Sequence, residues 1–81
     1  MNEQKIIDAL VEQFEVERHY VEVGLAHAPS DKSKRSNIVW YAIQRCMGMI
    51  ELAQQLGLPY DTAEPMFEGF KEILYDLEKT P

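Results

Sequence analysis

The sequence predicts an all-α protein, a three-helix antiparallel bundle of two long helices and a shorter C-terminal one, completed by dimerisation. Three observations lead there. Apolar residues recur at spacings of three and four along nearly the whole chain. The breaks in that pattern fall at two compact turn signals, Pro29-Ser30-Asp31 and Gly57-Leu58-Pro59. Finally, the segment between these turns, read as a helix, is apolar around most of its circumference and so needs cover on several sides.

The first helix is expected from Asn2 to about Ala26, with Ile6, Ile7, Leu10, Val11, Phe14, Val21 and Leu25 forming one stripe. Pro29 disfavours helix at the residue before it, and Ser30, Asp31 or Ser33 can cap the next helix through a side-chain oxygen. The second helix runs to Leu56. At ~100° per residue its apolar arc covers roughly 240°, from Leu52 through Ile38, Met49, Ala42, Ala53, Cys46, Val39, Ile50 and Ile43 to Met47 and Trp40. Only Arg45 and Gln54 interrupt it. Gly57, Leu58 and Pro59 then supply a left-handed C′ glycine, an apolar residue that folds back, and a proline that cannot continue the helix. Asp61-Thr62-Ala63-Glu64 reads as a capping-box variant opening the third helix, with Pro65 still in the first turn. That helix carries Met66, Phe67, Phe70, Ile73, Leu74 and Leu77 on one face and Glu68, Glu72 and Asp76 on the other, and frays at Lys79-Thr80-Pro81.

Two helices of roughly 25 residues span about 35 Å each, whereas a third of roughly 17 spans about 25 Å. Part of the hairpin is thereby left without a third wall. Ala42, Cys46 and Ala53 lie together mid-arc, where small side chains admit another backbone, so a second copy is the expected cover, with a seam of Trp40, Ala42, Cys46, Met49 and Ala53.

A chain of 81 residues has room for one domain, residues 1–81, in the size range where stability is marginal. Its single cysteine excludes an intrachain disulfide, and neither a CxxC pair nor a Cys/His cluster is present to hold zinc. The N-terminus is charged from its third residue, unlike a signal peptide or a membrane span, so the expectation is a complete, soluble, cytoplasmic chain. A net charge of -6 opposes non-specific attraction to nucleic acid or to an anionic membrane.

Glu17 and Arg18 fall inside the first helix's apolar arc, where an unpaired charge is expensive. Antiparallel packing about a turn near residue 29 puts residues whose numbers sum to roughly 59 at one level, which sets Glu17 beside Tyr41, Ala42 and Arg45. A buried Glu17–Arg45 ion pair follows, possessing either a register-fixing role or an acid/base one. Lys32, Lys34 and Arg35 gather three of the chain's eight basic residues at the start of the second helix. There the free N–H groups and side-chain cations together suit a phosphate or carboxylate, with Tyr41 or Trp40 stacking on a ligand.

Asp8, Glu12, Glu15, His19 and Glu22 share the outward face of the first helix, but a single outward histidine is a poor metal set, so no metal and no cofactor is expected. His27 reads as a helix-end residue, and Cys46 reads as a buried hydrophobe with no histidine beside it. Catalysis has no support in the sequence. The acidic stripe of Glu68, Glu72 and Asp76 offers a surface for a basic protein, or else a solubilising face. The leading reading is thus a non-enzymatic helical interaction module, a small regulator or adaptor that binds itself and another protein. A small-ligand or nucleotide-binding protein using the turn from Lys32 to Arg35 is the alternative, and a helix-turn-helix DNA module comes third because acidic helices flank that turn.

Overall fold

The computed structural model describes residues 2–80 and contains three helices: α1 (Glu3–Ala26), α2 (Lys32–Gln55) and α3 (Tyr60–Lys79). Met1 and Pro81 lie outside the described residues, so the third helix's expected fraying can be followed only as far as Thr80. The helices pack side by side into an elongated bundle of 43 × 17 × 16 Å, and no strand occurs among the described residues.

Each boundary has a local cause. The Asn2 side chain caps α1 by accepting from the Lys5 N–H at 2.8 Å. Asp31, of the three candidates, caps α2 by accepting from the Lys34 N–H at 3.0 Å. At the other end of α2, Gly57 adopts φ 117°, the Gly57 N–H donates to the Gln54 carbonyl (3.1 Å) and the Leu58 N–H donates to the Ala53 carbonyl (3.0 Å). That is the Schellman pairing, and buried Leu58 supplies its apolar clasp.

The expected capping box of Asp61 and Glu64 does not form. Pro59, extended at φ -62° and ψ 146°, offers its carbonyl to the N–H groups of Thr62 (3.0 Å) and Ala63 (2.9 Å), so α3 starts at Tyr60. Asp61 is therefore already helical. The Glu64 carboxylate instead holds the pKa of the Tyr60 phenol above its ordinary value. The earlier start also moves Pro65 out of the first turn, so its missing N–H removes one ladder bond.

At 20 residues α3 is slightly longer than the roughly 17 expected, and it packs along both other helices. Ile6, Leu10, Phe14, Val21 and Leu25 of α1 meet Val39, Ala42, Ile43, Cys46, Ile50 and Ala53 of α2 and Ala63, Phe70 and Leu74 of α3 in one continuous cluster. At its centre the Phe14 and Phe70 rings stack 3.9 Å apart and 8° from parallel. Ala42, Cys46 and Ala53 are buried within this one chain, which corrects the expected intermolecular seam: their small side chains admit α1 and α3, not a second copy. Met49 is half-buried and Trp40 is exposed.

The helix register differs slightly from the expected one. Glu17 meets Arg45, and Gly24 lies under Ile38, numbers that add to 62 in both cases. Val11 falls off the α1 stripe into solvent. Arg18 also lies at the surface, where it pairs with Glu15 at 2.7 Å and Glu22 at 3.7 Å.

Candidate functional site

Arg35 shares a phase of α2 with Ala53 and so points into the bundle, which corrects its assignment to a solvent-facing anion site. Its Nη1 donates to the carbonyls of Leu25 (3.0 Å) and Ala28 (3.3 Å). Its Nη2 donates to those of Glu78 (2.9 Å) and Thr80 (2.7 Å), with Leu77 at 3.5 Å. The last carbonyls of a helix lack intrahelical donors and form the negative end of its dipole. A guanidinium set between two such ends satisfies both. Lys32 and Lys34 remain exposed on the turn, and Tyr41 is two turns farther along α2, about 10 Å away along the axis at 1.5 Å per residue. The four residues therefore do not converge on one anion. At the neighbouring helix end, His27 Nδ1 donates to the Val23 carbonyl at 2.9 Å.

Arg45 Nε lies 2.8 and 2.7 Å from the two carboxylate oxygens of Glu17. The pair is lopsided, because the Glu17 side chain is 11% exposed and that of Arg45 54%. Hydrogen bonding to the carboxylate raises the Arg45 pKa above its ordinary value, outweighing the opposing effect of partial burial. The Tyr41 hydroxyl is not among the partners of Glu17, and the Tyr41 ring stands edge-on to Trp40 at 5.1 Å. Next along α2, burial foremost and the charge of Glu17 second push the Cys46 thiol up to about 11. A thiol so placed stays protonated and unreactive near neutrality.

Beyond Arg45, toward the Schellman turn, α1 and α2 enclose an open groove that α3 does not cover. Ile6, Ala9, Leu10 and Gln13 line one wall, with Met49, Leu52, Ala53 and Leu56 on the other, and its volume is about 170 Å³. Gln13 is the one polar side chain in it. Leu52 and Leu56 are 55% and 49% exposed. Sequence reasoning placed Leu52 on the border of the apolar arc but did not mark this wall as a site, because the phase of α1 against it depends on the register.

On α3, Glu68, Glu72 and Asp76 are exposed, and Glu68 accepts from Lys71 Nζ at 2.9 Å. That lysine lies 4.8 Å from the Phe67 ring centroid, so one third of the acidic stripe is locally neutralised. Among the described residues no cluster of three or more His, Cys, Asp or Glu side chains could hold a metal ion, and no helix is long and apolar enough to cross a membrane. Searches for similarity to known protein families, characterised proteins and solved structures return no match to this chain.

Proposed function

We propose that this chain is a non-enzymatic helical interaction module, a small intracellular regulator or adaptor that acts by binding another protein through the α1–α2 groove. The observation that carries the reading is the groove itself, an apolar, open channel with two large aliphatic side chains half in solvent. Its volume falls below the range of roughly 300–1,000 Å³ common for small-ligand sites, whereas it suits a few apolar side chains of a protein partner. The ligand-binding alternative loses its central donor, since Arg35 is occupied by five carbonyls.

The test is affinity capture from the native host with the unmodified chain and with a Leu52→Asp, Leu56→Asp variant. Both positions are exposed, so the variant should keep its helicity. A protein retained by the unmodified chain and lost on the variant supports the reading. Equal capture by both, or a stoichiometric small molecule in place of a protein, overturns it.

A further inference from the structure

We infer that the α1–α2 groove is filled by a second copy of this chain, each copy inserting its Tyr20 into the groove of the other. The inference rests on the groove being the interaction site of the reading above, and it adds a regulation: another protein gains the groove by displacing that ring. The size of the groove selects an aromatic side chain. Its volume is about 170 Å³ and its lining is apolar but for Gln13, while an apolar cavity of about 150 Å³ holds benzene. The small side chain of Ala9 leaves room in the α1 wall, and Gln13 offers a partner to a phenol hydroxyl.

The chain carries such a ring on the same face. At ~100° per residue Tyr20 falls between Ala9 and Gln13 around α1, two turns beyond Gln13, and it is 64% exposed. Residues of α1 and α2 whose numbers add to 62 stand level, so the walls 6–13 and 49–56 face each other along their whole length. On α1 (Glu3–Ala26) the groove is centred about five residues to one side of mid-helix and Tyr20 lies about five to the other. A twofold axis crossing the hairpin there, in the plane between two facing copies, lays α1 antiparallel on its own copy, where residues whose numbers add to about 29 meet. Tyr20 then falls on Ala9 of the other copy and Val16 on Gln13, and both contacts recur across the axis. An axis along the helices would set groove against groove and fill neither.

Charge and area suit self-contact on this face. By helix phase its charged side chains are Lys5, Glu12, Lys34 and the Glu17–Arg45 pair, three cations against two anions in a chain of net charge -6. Asp8, Glu15, Glu22 and Glu51 turn aside, so two copies meet here with little repulsion. The bundle is 43 Å long and 17 Å wide, which makes this side roughly 700 Å², near the ~800 Å² per partner of a stable interface. The seam is distinct from Ala42, Cys46 and Ala53, which are buried within one chain.

Sedimentation equilibrium of the full chain should show an average mass that rises with concentration to twice that of the monomer. Tyr20→Ala removes the ring and Ala9→Phe blocks its seat. Both positions are exposed, so helicity should persist, and each variant should weaken the dimer at least about tenfold. Tyr75→Ala, which removes a half-exposed ring from α3, should leave it unchanged. An equimolar mixture of Tyr20→Ala and Ala9→Phe chains should re-associate more tightly than either alone: the first offers an open groove to the intact Tyr20 of the second, whose added ring stands where a tyrosine has been removed.

A monomer at every concentration, a dimer indifferent to both variants, or a mixture no tighter than its components overturns the inference. The interaction reading fails separately. If the inference falls but a host protein other than this chain is captured, and is lost on the Leu52→Asp, Leu56→Asp variant, that reading stands; if no such protein is captured, both fall.

Discussion

Arg35 and Arg45 lie less than three turns apart on α2, yet they occupy opposite environments. At the Arg35 end the chain closes on itself, with main-chain carbonyls from the ends of α1 and α3 converging on one buried guanidinium. At the Arg45 end the helices stay open, the arginine is half in water, and apolar side chains beyond it lack cover. Sequence reasoning had these roles reversed. The difference teaches that an arginine is drawn inward as strongly by orphan carbonyls as by a carboxylate, and only the carboxylate is visible as a residue type.

The largest expected effect comes from breaking the closed end. Arg35→Ala removes a charged donor from both helix ends at once, and with hydrogen bonds to charged groups worth about 1.5–3 kcal/mol each, part of which water recovers, a loss of about 3 kcal/mol is expected. For a domain of this size that lowers the Tm by roughly 15 °C. Arg35→Lys, with one point charge in place of a fork, should recover less than half of it. Hydrogen exchange should show the last turn of α3 opening first. A denaturant midpoint unchanged in Arg35→Ala would remove the clamp role.

Cys46 lies in the core one residue beyond Arg45 and tests the interior by pH. Its folded pKa, raised from near 9 to about 11, means that the folded state keeps the proton longer than the unfolded one. Its contribution is therefore fully present below pH 9 and is lost as the pH rises from about 9 to 11, to the extent of about 2 kcal/mol. Urea denaturation of the unmodified chain and of Cys46→Ala across that window should show the difference between them falling with pH. A constant difference would mean that the thiol is solvated.

The Glu17–Arg45 pair sharpens the comparison from the open side. Arg45→Met strands a carboxylate that is largely buried and should cost about 1–2 kcal/mol, whereas Glu17→Gln returns an exposed arginine to water and should cost less. Coupling in the double-mutant cycle should be about 1 kcal/mol, as suits a pair exposed on one side. Equal single-variant losses would show that the asymmetric burial carries no energetic weight.

The three helices, the Gly57 stop and the meeting of Glu17 with Arg45 were legible because each depends on a local signal or on a charge stranded within an apolar stripe. The fate of the small residues of α2 was not. Ala42 and Ala53 look alike whether a neighbouring backbone comes from the same chain or from another, and the start of α3 was no better marked. Pro59 set that start through its carbonyl, a cap that no side chain announces. Arg35 was missed for the same reason, since its partners are main-chain atoms at the ends of two other helices.

The smallest effect contrasts two glycines on the long helices. Gly48 has no heavy atom within 4 Å of where a Cβ would stand, so Gly48→Ala gains helix propensity without a clash and should stabilise by about 0.5–1 kcal/mol. Gly24 lies where α1 and α2 pack closely toward the Arg35 end, and a Cβ there would meet Ile38 Cδ1 at 3.3 Å. Ile38 must give by a few tenths of an ångström, which offsets most of the same gain, so Gly24→Ala should be near neutral. Thermal melts of the two variants side by side decide the matter: equal stabilisation would mean that the closed end is no more tightly packed at Gly24 than the solvent side of α2 is at Gly48.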